Sequence, residues 1–236
     1  MIIERKDTFK IVCAIGGYNG NNQKLGESLI GTGTFIEKDG KFYVLTAEHV
    51  ISCSVKAEYI ILCDSHMKPC KIDLQQLNNS YHWKTHPIAD MAVMEIDSVA
   101  NPWISSRCFP YDHCEISMAK LNRDTEITTV GFPCGLGVAN VFAPLTFRSF
   151  PASDILKCNR LDKKTIITDV FFLEDPSIGG YSGGPVFDLA YKVDYNMKQT
   201  KDKTRLYGIM HGYVGKDNSG GFMSFVTPIS YLSQLI

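Results

Sequence analysis

The sequence predicts an all-β protein, on three observations. Short runs rich in β-branched and aromatic residues recur along the chain, each bounded by Gly, Pro, Asn or Asp. An Asp39-Gly40 pair separates two such runs, a hairpin signal because both residues accept the positive φ that a two-residue turn demands. The long amphipathic helices that would have to alternate with strands in a layered α/β fold are missing. At 236 residues the chain has room for one fold with a sizeable core.

In chain order, residues 9–15 read as a first strand and 16–24 as a polar loop rich in Gly and Asn. Residues 31–36 and 41–46 are the arms of the Asp39-Gly40 hairpin, and runs at 59–63, around 70–72 and at 91–96 supply further strands. From about 98 to 120, Pro102, Pro110 and scattered charges break any period, which marks a connection between two halves, 1–110 and 111–236. The second half offers strands at 125–131, 164–172, 205–210 and 222–227. Pro228 then opens a short terminal helix over 229–236, with Tyr231, Leu232 and Leu235 on its apolar side.

Charge and cysteine usage exclude several classes. The 24 basic and 25 acidic side chains nearly cancel, so the composition predicts neither a nucleic-acid partner nor an anionic membrane surface. No apolar run approaches the ~18 residues of a membrane span. Charged residues 4–7 precede a short apolar run that Gly16 and Gly17 break, which reads as a strand and not as a leader peptide. Eight cysteines in a chain of this length need no disulfide framework. They read as reduced, mostly buried small hydrophobes, and imply a cytoplasmic protein.

The stretch around which the rest is organised is Gly179-Gly180-Tyr181-Ser182-Gly183-Gly184-Pro185-Val186. Four glycines permit a tight loop whose amides converge beside the serine oxygen, and converging amides stabilise charge on an attacked carbonyl. Alone, the same run reads equally well as a glycine-rich turn between two strands. Two earlier stretches decide between these readings: Thr46-Ala47-Glu48-His49 at the end of a strand, and Asp90-Met91-Ala92-Val93.

A T-A-x-H strand end, then D-x-A-V, then G-x-S-G-G-P, in that order, resembles the trypsin-like (chymotrypsin-fold) serine peptidases, since unrelated folds place the same residues in other orders. The Phe132-Pro133-Cys134-Gly135 turn is similar to that of bacterial and HtrA-type members, here without a PDZ domain. The resemblance implies two packed six-stranded antiparallel β-barrels with a short C-terminal helix. It implies a serine endopeptidase acting on protein or peptide substrates through an acyl-enzyme, with His49 as base, Asp90 orienting it and Ser182 as nucleophile. The Gly180 and Ser182 amides would form the oxyanion hole. Pro176, Ser177, His211, Gly212, Tyr213 and Gly221 would line the substrate pocket, His211 standing one position from the histidine of relatives that cleave after Glu or Gln. No cofactor and no metal are expected.

Departures from the family pattern are also visible. Val50 stands where secreted members carry a cysteine, and Glu48 where they carry a small residue, which reads as a surface substitution. Tyr181 replaces the aspartate that pairs with a freed N-terminus, so that mode of activation is not expected; the loop is ordered some other way, an activating protein partner being one. This motivates an alternative: a latent trypsin-fold interaction module. A third reading, an α/β-hydrolase using Ser182, Asp188 or Asp202, and His211, fails for want of helices. His82, His86 and Asp90 have the i, i+4, i+8 spacing of helical metal ligands, but Pro87 forbids that helix. Cys108, His113 and Cys114 lack a fourth ligand at a suitable spacing.

Overall fold

The computed structural model describes residues 1–18, 29–117, 121–194, 197–200, 203–214 and 223–236, with the backbone alone for 191–194 and 197–200. The first sheet is built from β1 (Val12–Gly16), β2 (Leu29–Lys38), β3 (Lys41–Thr46), β4 (Tyr59–Cys63), β5 (Pro69–Asp73), β6 (Lys84–Thr85) and β7 (Ala92–Ile96). They lie antiparallel in the order β5-β4-β1-β2-β3-β7-β6, and β8 (Phe109–Pro110) adds a parallel pair to β2. The β2–β3 hairpin turns at Asp39-Gly40, where both residues have positive φ, 52° and 78°. Its Glu37 carboxylate accepts the Gly40 amide at 2.9 Å.

The second sheet contains β9 (Ile127–Gly131), β10 (Leu145–Ser149), β11 (Leu156–Asn159), β12 (Ile167–Leu173) and β13 (Pro185–Asp188). After a separate hairpin, β14 (Tyr191–Asp194) and β15 (Met197–Thr200), it is completed by β16 (Arg205–Val214) and β17 (Met223–Pro228). The order is β10-β9-β13-β16-β17-β12-β11. The molecule is thus mostly β with few helices, as expected, its strands lying mainly antiparallel in two sheets of eight and seven. No helix among the described residues is long and apolar enough to cross a membrane.

Most of the core is one cluster that reaches both sheets. Phe109 meets Phe187 with ring centroids 5.2 Å apart, and Ile209 and Leu206 join the same cluster from β16. Each such side chain contributes roughly 1.5–3 kcal/mol of burial. A smaller cluster inside the second sheet gathers Phe171, Val186, Met210 and Val226 around Tyr181. In β4 all five residues are buried, so the run at 59–63 shows no polar alternation.

Three local expectations change. Arg5–Ile11 is a 3-10 helix, and β1 begins only at Val12. The Thr8 hydroxyl donates back to the Arg5 carbonyl at 2.8 Å, which offers this segment a turn in place of a ladder. The terminal helix is also 3-10 and covers Ile229–Gln234. All eight cysteines are free thiols, but only Cys13, Cys63 and Cys114 are buried, while Cys53 and Cys134 are exposed. The expected loop at 16–24 and the strand start at 222 lie partly outside the described residues, and Gly221 wholly outside.

Candidate functional site

β3 delivers the histidine. Thr46 ends the strand with its hydroxyl donating to the Thr32 carbonyl at 2.8 Å, and the chain turns at Ala47 into α1 (Glu48–Ser52), which carries His49. The acid comes from the bend between β6 and β7. There the buried His86 imidazole accepts the Ala89 amide at Nδ1, 2.9 Å away, while its Nε2 meets the Gln234 side chain at 3.0 Å. With both ring nitrogens committed, His86 organises the bend and has no nitrogen left for a metal.

Asp90, fully buried, grips His49 at two points. Oδ1 accepts the His49 backbone amide at 2.9 Å and Oδ2 lies 2.6 Å from Nδ1. With Nδ1 against a carboxylate, the proton belongs on Nδ1, which leaves Nε2 as the acceptor. Burial pushes the His49 imidazole down. The hydrogen bond to Asp90 and the charges of Asp90 and Asp162 outweigh it, so His49 titrates above its ordinary range, with Arg160 opposing. Burial would raise the Asp90 carboxyl, but His49 and His211 hold it below the usual carboxylate range.

Behind this pair lies a charged cluster. Arg160, whose side chain is 0 % exposed, donates to Asp90 Oδ1 at 3.2 Å, Glu48 Oε2 at 2.8 Å, the Ala89 carbonyl at 3.2 Å and both oxygens of Asp162 at 3.0 and 2.6 Å. Lys163 donates to Glu48 Oε1 at 2.6 Å. Glu48 is therefore buried and paired, a correction to its reading as a surface substitution. A carboxylate at this depth persists because a guanidinium meets it.

The serine loop is held through its backbone. Gly179 accepts the Cys134 amide at 2.8 Å, Gly180 accepts the Thr32 hydroxyl at 2.7 Å, Tyr181 accepts the Gly184 amide at 2.8 Å and Ser182 accepts the Thr32 amide at 2.8 Å. In a trans peptide the N–H points opposite to the preceding C=O. The Gly180 and Ser182 amides therefore point away from Cys134 and Gly184, and among the described residues neither donates to another backbone group. Gly180 and Gly183 adopt φ of 103° and 81°, and a Cβ on Gly183 would lie 2.1 Å from the Thr46 hydroxyl oxygen, so only glycine fits. Tyr181 is buried in the small cluster, edge-on to Phe147 at 5.4 Å, with no partner for its hydroxyl among the described residues. Burial pushes its phenol up, with the Arg5 charge opposing.

Ser182 Oγ donates to the His211 carbonyl at 3.3 Å, and no hydrogen bond joins it to His49. The His49 and His211 rings stack at 5.6 Å. The His211 imidazole is 2 % exposed and lies 3.3 Å from Asp90 Oδ2 and 3.2 Å from Asp162 Oδ1, out of line with both. It faces inward, so its side chain is not offered to a substrate. Of the other expected pocket residues, Ser177 is buried, Pro176 exposed, and Gly212 and Tyr213 half-buried. His49, Asp90 and His211 bring three ligand atoms within 4.8 Å of one another, a spacing open to a metal ion. Arg160 already occupies Asp90, which disfavours a second cation there.

Sequence reasoning missed Arg160, Asp162 and Lys163. Arg160-Leu161-Asp162-Lys163-Lys164 is a charged run of the kind that usually lies in solvent, and carries no signal of burial. The one available signal was Glu48, an acid where the family has a small residue.

No protein-family model matches the chain, and no curated protein sequence does. Solved structures do. One, from a study titled for the aromatic interactions that drive coupled folding and binding of the intrinsically disordered Sesbania mosaic virus VPg protein, is 13 % identical with TM-score 0.56, covering 100 % of this chain and 94 % of its own. Another, the scabies mite inactivated protease paralogue S-I1, is 14 % identical with TM-score 0.58, covering 100 % and 96 %. At such identities the likeness is one of fold, and the fold of this chain is that of the trypsin-like proteins.

Proposed function

We propose that this chain is a serine endopeptidase that cleaves protein or peptide substrates through an acyl-enzyme. The observation that carries the reading is the two-point hold of Asp90 on His49, which leaves Nε2 as acceptor on a ring stacked against His211, the residue whose carbonyl takes the Ser182 hydroxyl. In the reaction, the Ser182 hydroxyl rotates about χ1 from the His211 carbonyl to His49 Nε2 and gives up its proton as Oγ attacks the carbonyl carbon. The Gly180 and Ser182 amides, uncommitted and anchored from behind by Cys134 and Gly184, take the developing oxyanion; one such donor is worth about 3 kcal/mol. His49 then returns the proton to the leaving amine, and water repeats the sequence on the ester. An extended substrate has an edge to pair with, because Gly212 and Tyr213 pair with β17 on one side and with no described strand on the other.

The anchored loop supports activity without an N-terminal ion pair. Eight free thiols fit a reducing, cytoplasmic compartment. The HtrA-type likeness rests on the 132–135 turn alone, and neither structural neighbour supports that subtype. Ser182-dependent labelling by a fluorophosphonate is expected in the wild type and absent in Ser182→Ala and His49→Ala.

A second reading rests on the serine rotamer. With Oγ on the His211 carbonyl, and with an inactivated protease paralogue among the neighbours, the chain would be a latent interaction module that needs a partner. Labelling that is absent from pure protein but appears in cell extract favours that reading.

A further inference from the structure

Arg160, Asp162 and His211 take no part in the steps above, yet all three converge on Asp90 from the second sheet. Arg160 and Asp162 lie in the turn between β11 and β12, which is closed by the Arg160 amide on the Ile166 carbonyl and the Ile166 amide on the Lys163 carbonyl, both at 2.9 Å. His211 comes from β16. Its ring is clamped between His49, stacked at 5.6 Å, and Phe225, edge-on at 4.9 Å. Nε2 faces carboxylate oxygens at 3.2 and 3.3 Å, so that nitrogen carries a proton, since a lone pair there would meet two anions.

We infer that Asp162 and His211 form a second carboxylate–imidazole pair which, with Arg160, fixes the orientation of Asp90 and sets the charge that His49 experiences. These are positioning residues: none of their side chains hydrogen-bonds the Ser182 hydroxyl, which among the described residues meets only the His211 backbone, and their effect passes through Asp90 and His49. The catalytic consequence rests on the endopeptidase reading; the pair itself rests on geometry alone. Catalysis would then depend on the docking of the 160–166 turn, because Asp90 on one sheet is oriented by groups carried on the other. The groups facing His49 are Asp90 from its own half, His211 from β16, and Asp162 and Arg160 from the turn, with the Glu48–Lys163 pair behind them. Asp162 favours the imidazolium of His49 and Arg160 disfavours it, so removing the Asp162 charge lowers the His49 midpoint.

The test is a pH titration of the ring nitrogens of His49 and His211 by NMR, on the full-length chain, in wild type and Asp162→Asn. The expected result is a His49 midpoint lower in the variant by about half a pH unit or more. An unmoved midpoint in a folded variant overturns the inference. Should Asp162→Asn not fold, the wild-type spectrum decides: His211 Nε2 must be protonated, and an unprotonated Nε2 overturns it. Neither measurement needs turnover, so wild-type protein that fails to label at Ser182 would sink the endopeptidase reading and leave the pair to the spectra. With peptide substrate, Asp162→Asn should lose kcat on the order of tenfold, the low end for outer partners of a functional imidazole, at unchanged KM. Its acid limb should move to lower pH. Full kcat with an unmoved limb overturns the positioning role.

Discussion

The two halves of the candidate site are held by different physics. On the His49–Asp90 side, orientation comes from buried charge: one guanidinium meets three carboxylates, and removing any member leaves another unpaired in a low-dielectric interior. On the Ser182 side it comes from backbone hydrogen bonds and from glycines in conformations that no other residue adopts cheaply. The first arrangement is sensitive to charge and pH, the second to shape. A trypsin-like loop without its ion pair can still be rigid, because Thr32 and Cys134 fix the carbonyls that the loop would otherwise be free to flip.

Substitutions can break each half separately. The largest effect is expected from Arg160→Met, which strands Asp90, Glu48 and Asp162; denaturant unfolding should report a loss of about 3–5 kcal/mol. A midpoint equal to wild type would show that the cluster does not hold the two sheets together. On the loop side, Gly183→Ala should cost about 2–3 kcal/mol by the same measurement, while Gly40→Ala should cost only about 1 kcal/mol. Both glycines have positive φ, but a Cβ on Gly40 meets nothing within 4 Å. Equal losses would mean that backbone strain alone, and not the crowded loop, sets the cost.

The pH response belongs to the charged half. His49 must be neutral to accept the serine proton, and its raised titration means it becomes neutral only above the usual imidazole range. On the proposed peptidase reading, activity should therefore rise with pH through a midpoint above ~6.5 and stand about tenfold below its plateau one unit under that midpoint, the equivalent of ~1.4 kcal/mol. A profile centred below ~6.5 would contradict the assigned partners. The smallest effect is expected at Tyr181→Phe. Its buried hydroxyl has no partner among the described residues, so removing it should leave stability unchanged or raise it by up to about 1 kcal/mol. A clear loss would reveal a partner for that hydroxyl and place an anchor of the serine loop at Tyr181.

The motif residues were legible because their chemistry constrains residue type and spacing together: a T-A-x-H strand end, an acid before an apolar strand, and a serine among glycines. The Asp39-Gly40 hairpin was legible for the same reason, since the turn demands those backbone angles. β10 and β11 escaped because each carries exposed or half-buried residues with no clean alternation, so the pattern at 145–149 and 156–159 resembles a loop. The segment before β1 misled because Phe9 and Ile11 satisfy a strand pattern that the Thr8–Arg5 hydrogen bond overrides.

By itself the sequence determined the all-β class, the chain positions of the candidate histidine, acid and serine, and the absence of an aspartate before that serine. It did so because local backbone demands and reactive side chains leave marks a few residues wide. Only the tertiary structure decided that Glu48 is buried, that Arg160 reaches Asp90 with Asp162 against its guanidinium, and that His211 turns inward. Those partners lie 70 or more residues from Asp90 along the chain, except Glu48, which meets Arg160 112 residues away. Burial of charge depends on which surfaces meet, and no short stretch of sequence records that meeting.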